Sequence, residues 1–225
     1  MKLVINFLDN DLYINSERVL SIEVENKSYF YRIVNCFNSL YVGDKIDEIN
    51  FYDEKFNEIN LNNKILIMYD FFNFDFNSKK NISKIYKLIE DNLDERSLLP
   101  FNNLYSKLLK ILKNELNYLD INIKLDEEYK MENILKIVKL SIEKKDSLMD
   151  NLFLLIDLEK ILKVNEILVF VNLKQYLSKD ELKEFYKYIV YNNLCAVFVD
   201  SQTYGIADNM ENKIIIDDNL NEFVL

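Results

Sequence analysis

Apolar residues follow two different rhythms along this chain. Over the first seventy residues they gather in short runs with a period near two. Val19-Leu-Ser-Ile-Glu-Val24 and Ile65-Leu-Ile-Met-Tyr-Asp70 read as strands, with further strands near 3–7 and 46–51. A helix interrupts them from Ser28 to Phe37, capped by Asn26, with Phe30, Ile33, Val34 and Phe37 on one face. The last sixty residues return to strands: Ile167-Leu-Val-Phe-Val171, a helix over about 178–191, then Cys195-Ala-Val-Phe-Val199 and Lys213-Ile-Ile-Ile216. Strands that are apolar throughout need cover on both faces. The pattern therefore predicts an α/β fold with a mainly parallel sheet to which both ends of the chain contribute.

Between about 71 and 162 the period changes to 3.6 and strand signals stop. Leu104, Leu108, Ile111 and Leu112 form one stripe that continues into Leu116 and Leu119. Met131, Ile134, Leu135, Val138 and Ile142 form a second, and Leu148, Leu152, Leu155 and Ile156 a third, with Ser147 and Asp150 marking a helix start. The expected organisation is an α/β head from residues 1–70 and 163–225, with a helical leg, 71–162, inserted in it.

Composition removes most enzyme chemistry from this frame. The 225 residues include no histidine, so Ser-His-Asp or Cys-His catalysis and histidine-based zinc sites are excluded. Glycine occurs only at Gly43 and Gly205, so neither GxGxxG nor GxxxxGK[ST] can be formed. Cys36 and Cys195 sit far apart in apolar runs and read as buried reduced thiols, as in a cytoplasmic protein. The opening MKLVINFLDND reaches acids after a few apolar residues, and no apolar run approaches the ~18 residues that span a bilayer, so no membrane partner is expected.

Charge refines the picture further. The net charge of −10 argues against general attraction to polyanions, but it is unevenly divided. Residues 71–162 hold 16 acids and 15 bases, net −1, which leaves 22 acids and 13 bases, net −9, on the rest. An anion is therefore better received by the helical part. Lys107, Lys110 and Lys113 recur at i+3 opposite the first leucine stripe, Lys136 and Lys139 lie opposite the second stripe, and Lys144-Lys145 closes that helix. Arginine occurs only at Arg18, Arg32 and Arg96, so phosphate contact by lysine point charges is favoured over base reading by arginine forks.

Two further groups of residues invite chemistry. The strand ending in Asp70 and the Lys27-Ser28 pair after strand 19–24 stand where a P-loop enzyme places its magnesium ligand and its Lys-Ser. Val24-Glu25-Asn26, however, puts bulk and negative charge where small residues must let amides converge on phosphate. An acidic group, Glu115, Asp120, Asp126, Glu127, Glu128 and Glu132, follows the first leucine stripe. With Leu104 at zero and about 100° per residue, Glu115 falls at about 20°, inside the stripe. Buried there, its carboxylate would need protonation, a lysine or a cation. Asp120, Asp126 and Glu128 lie at the following connection, and such all-oxygen ligands suit calcium. A solvated acidic turn with Glu115 paired to lysine is the alternative.

Ile167-Leu-Val-Phe-Val-Asn172, Tyr176-Leu177-Ser178-Lys179-Asp180-Glu181 and the strand Ala196-Val-Phe-Val199 together resemble the C-terminal signature of the short CRISPR-associated "Csn-two" family. Upstream, Asn114-Glu115-Leu116, Leu125-Asp126-Glu127-Glu128-Tyr129 and Ile134-Leu135 are similar to further elements of the family. The resemblance implies a head related to P-loop proteins but lacking their phosphate loop, with an inserted helical leg. It implies a homotetrameric ring that encloses double-stranded DNA ends, lysines lining the hole, and calcium holding head and leg. It implies no catalytic activity, and a place in spacer acquisition by type II-A CRISPR systems in antiviral defence, beside the CRISPR integrase and the RNA-guided nuclease. Glu115, Asp126 and Glu128 match its acidic positions and Lys139 a leg-helix lysine, whereas Ser201-Gln202-Thr203 stands where relatives can carry arginines. The reading from the enzyme class is a divergent P-loop NTPase or a metal-dependent nuclease using Asp70 and the acidic cluster.

Overall fold

The apolar runs at both ends of the chain meet in one sheet. In the computed structural model, which describes residues 1–44, 46–116, 118, 123–125, 130–205 and 209–225, the chain forms β1 (Lys2–Ile5), β2 (Leu12–Tyr13), β3 (Val19–Val24), α1 (Lys27–Val42), β4 (Ile49–Tyr52) and β5 (Ile65–Met68). Then come α2 (Lys79–Asn92), α3 (Glu95–Leu116), α4 (Met131–Val138) and α5 (Leu148–Leu162). The chain continues with β6 (Ile167–Val171), a one-turn 3-10 helix (Leu173–Tyr176), α6 (Lys179–Tyr191), β7 (Ala196–Asp200), β8 (Glu211–Ile216) and β9 (Glu222–Val224).

A six-stranded sheet has the order β5-β6-β7-β3-β8-β9 and is parallel except at β9, which pairs antiparallel with β8. The mainly parallel α/β arrangement matches the expectation from sequence. Its central strand β3 is flanked by β7 and β8, with Ile22 opposite Val199 on one side and Ile214 on the other. A second, antiparallel sheet of order β2-β1-β4, which the run pattern does not separate from the first, adds Leu3, Ile5 and Phe51 to the core. That core also takes Ile22 and Val24 of β3, Ile33 and Phe37 of α1, Val169 of β6 and Val199 of β7.

Local chemistry sets the helix ends. α1 starts where Asn26 Oδ1 accepts from the amides of Ser28 and Tyr29, both at 3.1 Å. It runs beyond Phe37 to Val42, where Gly43 adopts φ +85° and its amide bonds back to Leu40. Ser178 and Glu181 make a reciprocal capping box on α6. Ser147 caps α5 by accepting from the Asp150 amide at 3.0 Å, as its spacing predicts. The other face of the parallel sheet is aromatic: Phe170 and Phe198 lie 5.1 Å apart between ring centroids, and Phe198 meets Tyr186 of α6 edge-on at 4.9 Å.

The chain divides into two units, Met1–Phe74 with Lys144–Leu225, and Asp75–Glu143. The sequence pattern assigns α5 to the inserted helices, but the structure places it in the first unit. There Phe153 packs on Tyr188 of α6 at 4.5 Å, and Leu152, Leu155 and Ile156 are buried. Periodicity reveals that a helix has a buried face but not which partner buries it. Within the second unit α2 and α4 pack together, with Tyr86 and Met131 buried. Among the described residues no helix is long and apolar enough to cross a membrane.

Candidate nucleic-acid interface and metal ligands

α3 carries its lysines and its leucines in the open. Lys107, Lys110 and Lys113 follow one another at i+3 and all are exposed. The facing stripe is uncovered too: Leu104, Leu108, Ile111 and Leu112 are 63, 47, 60 and 41% exposed, and the helix buries no residue. Twenty-two helical residues without one buried side chain are far from the usual amphipathic helix, whose apolar stripe is covered.

α4 is shorter than its stripe predicts. It stops at Val138 because Lys139 turns to the left-handed region, φ 55°, and its amide bonds to Lys136. Ile142, Lys144 and Lys145 therefore lie beyond the helix, and the lysine pair does not close it. Lys136 stays on α4 and pairs with Glu132 at 2.7 Å, which draws the Glu132 carboxyl below its usual range. Lys144 Nζ donates to the Phe72 carbonyl, while the Lys145 amide donates to Asn151 Oδ1 at 2.9 Å. The structure thus groups Lys107, Lys110 and Lys113 on one helix face and sets Lys144 and Lys145 in the other unit.

Glu115 is on α3 and exposed. Burial therefore forces no counter-ion on it, because the apolar stripe around it is itself bare. Asp120, Asp126 and Glu128 lie outside the described residues. Among the described residues no three acidic or thiol side chains converge as metal ligands. The donor chemistry of the four named residues, carboxylate oxygen alone, remains that of a hard cation.

The carboxyl edge of the parallel strands, where open α/β sheets hold ligands, is already occupied by its own side chains. Asp70 Oδ1 accepts from the amides of Phe72 and Asn73, both at 3.0 Å, and its Oδ2 from Asn73 Nδ2 at 2.7 Å. The Asn73 side-chain bond first, then the amide bonds, hold the Asp70 carboxyl below the usual carboxylate range. At the start of α1, Asn26 takes the two amides that an anion would use.

Sequence reasoning missed a charged cluster on the aromatic side of the sheet. Lys174 of the 3-10 helix donates to Ser21 Oγ at 2.5 Å, Glu23 Oε1 at 2.7 Å and Glu211 Oε2 at 3.3 Å. Lys213 reaches Glu23 Oε1 at 2.9 Å, Glu211 Oε1 at 3.1 Å and the Gly205 carbonyl at 3.1 Å. Tyr186 OH donates to Glu211 Oε2 at 3.1 Å, and Asp200 lies beside Glu23 on the neighbouring strand. All of these side chains but the cover from the loop after β7 are buried. The signal was present: Glu23 stands between Ile22 and Val24, and Glu211 and Lys213 interrupt an apolar strand.

The sequence model of the family described as CRISPR-associated protein (Cas_Csn2) matches residues 41–220. The chain belongs to the Csn2 family. Two proteins named CRISPR-associated protein Csn2 are similar to it along most of its length. One, from Streptococcus agalactiae, is 26% identical over 191 residues, 82% of this chain and 83% of the relative. Another, from Enterococcus faecalis, is 20% identical over 202 residues, covering 88% and 90%. The crystal structure of Stu0660 of Streptococcus thermophilus superposes with a TM-score of 0.69 over 100% of this chain and 76% of that one, at 16% identity, and so shares the fold. A CRISPR association follows from Csn2 membership.

Proposed function

We propose that this Csn2 protein binds double-stranded DNA ends without regard to sequence, as a calcium-stabilised homotetrameric ring that serves spacer acquisition beside the CRISPR integrase and the RNA-guided nuclease. The observation that carries this reading is the uncovered α3, whose bare leucines call for a second copy of the chain while Lys107, Lys110 and Lys113 on its other side call for a polyanion. An acidic chain holds DNA best when several copies bring their lysines around one hole, because their potentials add there. Lysine suits such a sleeve, since phosphate contacts position a duplex without reading it. Lys136, Lys139, Lys144 and Lys145 are the further basic candidates. Calcium would be held by Glu115, Asp120, Asp126 and Glu128, supplying positive charge between acidic segments of the chain.

The protein is read as non-enzymatic. A nucleotidase or nuclease built on Asp70 gains no support, because that carboxyl and the α1 amides are hydrogen-bonded within the chain. The test is retardation of linear duplexes against covalently closed circles of the same length and several sequences, with calcium present. Threading demands strong retention of the linear form and little of the circle. Equal binding of both would exclude it.

A further inference from the structure

The charged cluster on the aromatic side of the sheet contains one group for which no donor is left. Among the described residues its charges are Glu23 on β3, Asp200 on β7, Glu211 and Lys213 on β8, and Lys174 on the 3-10 helix. An ammonium has three N–H donors. Those of Lys174 go to Ser21, Glu23 and Glu211, and those of Lys213 go to Glu23, Glu211 and the Gly205 carbonyl. Tyr186 of α6 gives its hydroxyl proton to Glu211, and the Tyr204 amide donates to Glu23 Oε2 at 3.0 Å. Asp200 is fully buried, and among the described residues neither of its oxygens accepts a hydrogen bond of good geometry, although the Lys174 amide also acts on its carboxyl. The Lys174 ammonium stands 3.9 Å from its Oδ2.

Charge counting leads to the same place. Among the described residues three carboxylates against two ammonium groups leave the buried site one unit negative, and an uncompensated buried charge is expensive. A single proton balances it, and Asp200 is the carboxyl least able to stay ionised. We propose that Asp200 is a proton-binding site, and that its proton secures the loop Ser201–Gly205 over the charged cluster. Burial first, and then the neighbouring charges of Glu23 and Glu211, push the Asp200 carboxyl up to about 7, with the Lys174 ammonium and amide opposing the shift.

The loop is tied to the same groups that the proton balances. Tyr204 donates its amide to Glu23 and lays its ring 5.7 Å from Lys174 Nζ, Lys213 holds the Gly205 carbonyl, and Thr203 donates to Glu25 at 3.3 Å. Loss of the proton places a second negative charge beside Glu23 and draws Lys174 toward Asp200 and away from its longest bond, that to Glu211. Glu211 then leans on Lys213, which weakens the Lys213 hold on Gly205. The sign follows from linkage. A carboxyl whose folded pKa is raised stabilises the closed form at low pH, and that contribution is lost as pH rises from the ordinary carboxylate range to about 7.

The proposal does not depend on DNA binding, and it is tested on the whole chain by two measurements. Carbon-13 NMR of the side-chain carboxyls reads the Asp200 titration directly, and amide hydrogen exchange, corrected for its intrinsic pH dependence, reads the Tyr204 amide. Asp200 is expected to titrate near neutrality. Protection at Tyr204 should fall by up to about tenfold per pH unit between pH 5 and 7 and then level off. In Asp200→Asn it should not change over that window. Asp200 titrating below pH 5, Tyr204 protection independent of pH in the wild type, or the same slope in Asp200→Asn would each overturn the proposal. If the variant does not fold, the two wild-type measurements decide alone.

Discussion

Lys174 Nζ lies 2.7 Å from Glu23 Oε1, and neither side chain reaches solvent. The lysine comes from the turn after β6 and the glutamate from β3, so the pair joins segments 151 residues apart. Replacing Lys174 by Met keeps most of the volume but leaves the buried Glu23 and Glu211 one ammonium fewer, sharing that of Lys213. We expect Lys174→Met to destabilise the fold by about 3–5 kcal/mol. Urea unfolding should show a lower midpoint at unchanged slope. A change below about 1 kcal/mol would mean that the carboxyls find other partners or take up protons.

The capping box of α6 makes a smaller prediction. Ser178 Oγ accepts from the Glu181 amide at 3.3 Å, and Glu181 Oε2 accepts from the Ser178 amide at 2.8 Å. Ser178→Ala removes the first bond and the hydroxyl that steadies Glu181, and is expected to lower Tm by about 2–4 °C. Calorimetry checks it, with Ser201→Ala, which caps no helix, as the control.

Both thiols should be inert in the folded protein. Burial first, and then the Glu48 carboxylate, push the Cys36 thiol up to about 12, and burial raises Cys195 as well. At pH 8 both therefore stay protonated, and a chromogenic disulfide reagent is expected to react slowly with the native chain, slowest at Cys36. Full reaction of two thiols should follow in denaturant. Rapid native labelling of Cys36 would contradict its burial.

These outcomes separate what the sequence displays from what folding must add. Strands β3, β6 and β7 were legible because runs of Val, Ile, Leu and Phe have few other uses. The separate β2-β1-β4 sheet was not, since pairing is a long-range choice that short strands do not announce. The end of α4 was hidden because Lys139, rather than glycine, takes the left-handed position. Lys107, Lys110 and Lys113 fall on one exposed face as their spacing requires, whereas the exposure of Glu115 is not legible, because an apolar stripe does not by itself say that anything covers it. The Glu23 cluster escaped notice since its lysines arrive from residues 174 and 213.

The lysines of α3 should determine how DNA binding responds to salt. Each phosphate neutralised contributes about 0.9 to the slope of log affinity against log salt. Lys107→Ala with Lys110→Ala removes two lysines from each of the four copies around the duplex and is therefore expected to reduce that slope by up to about 7, equally for all sequences. Lys144→Ala should change it less, because its ammonium is already bonded to the Phe72 carbonyl. Filter binding over a range of salt measures both, and an unchanged slope in the double variant would move the interface off α3.

Calcium should be visible in mass and in melting. We expect calcium to raise Tm and to favour the fourfold particle, and a chelator to reverse both. Glu115→Gln should weaken these responses while leaving Tm without calcium nearly unchanged, because the side chain is exposed. Light scattering and calorimetry with and without the ion read the two effects. Indifference of the wild type to calcium would remove the metal from the account.

The order β5-β6-β7-β3-β8-β9 also bears on how the chain is made. β3 ends at Val24, yet both of its strand partners come far later in the chain: β7 begins at Ala196 and β8 at Glu211. Until these have been synthesised, a fully apolar-flanked strand has no ladder to join, and α1 has only half a surface to cover. The parallel sheet thus cannot close around β3 until those distant segments have emerged. Over that interval the nascent chain carries an unpaired, aggregation-prone edge, which makes its yield depend on chaperones and on the speed of translation between β3 and β8.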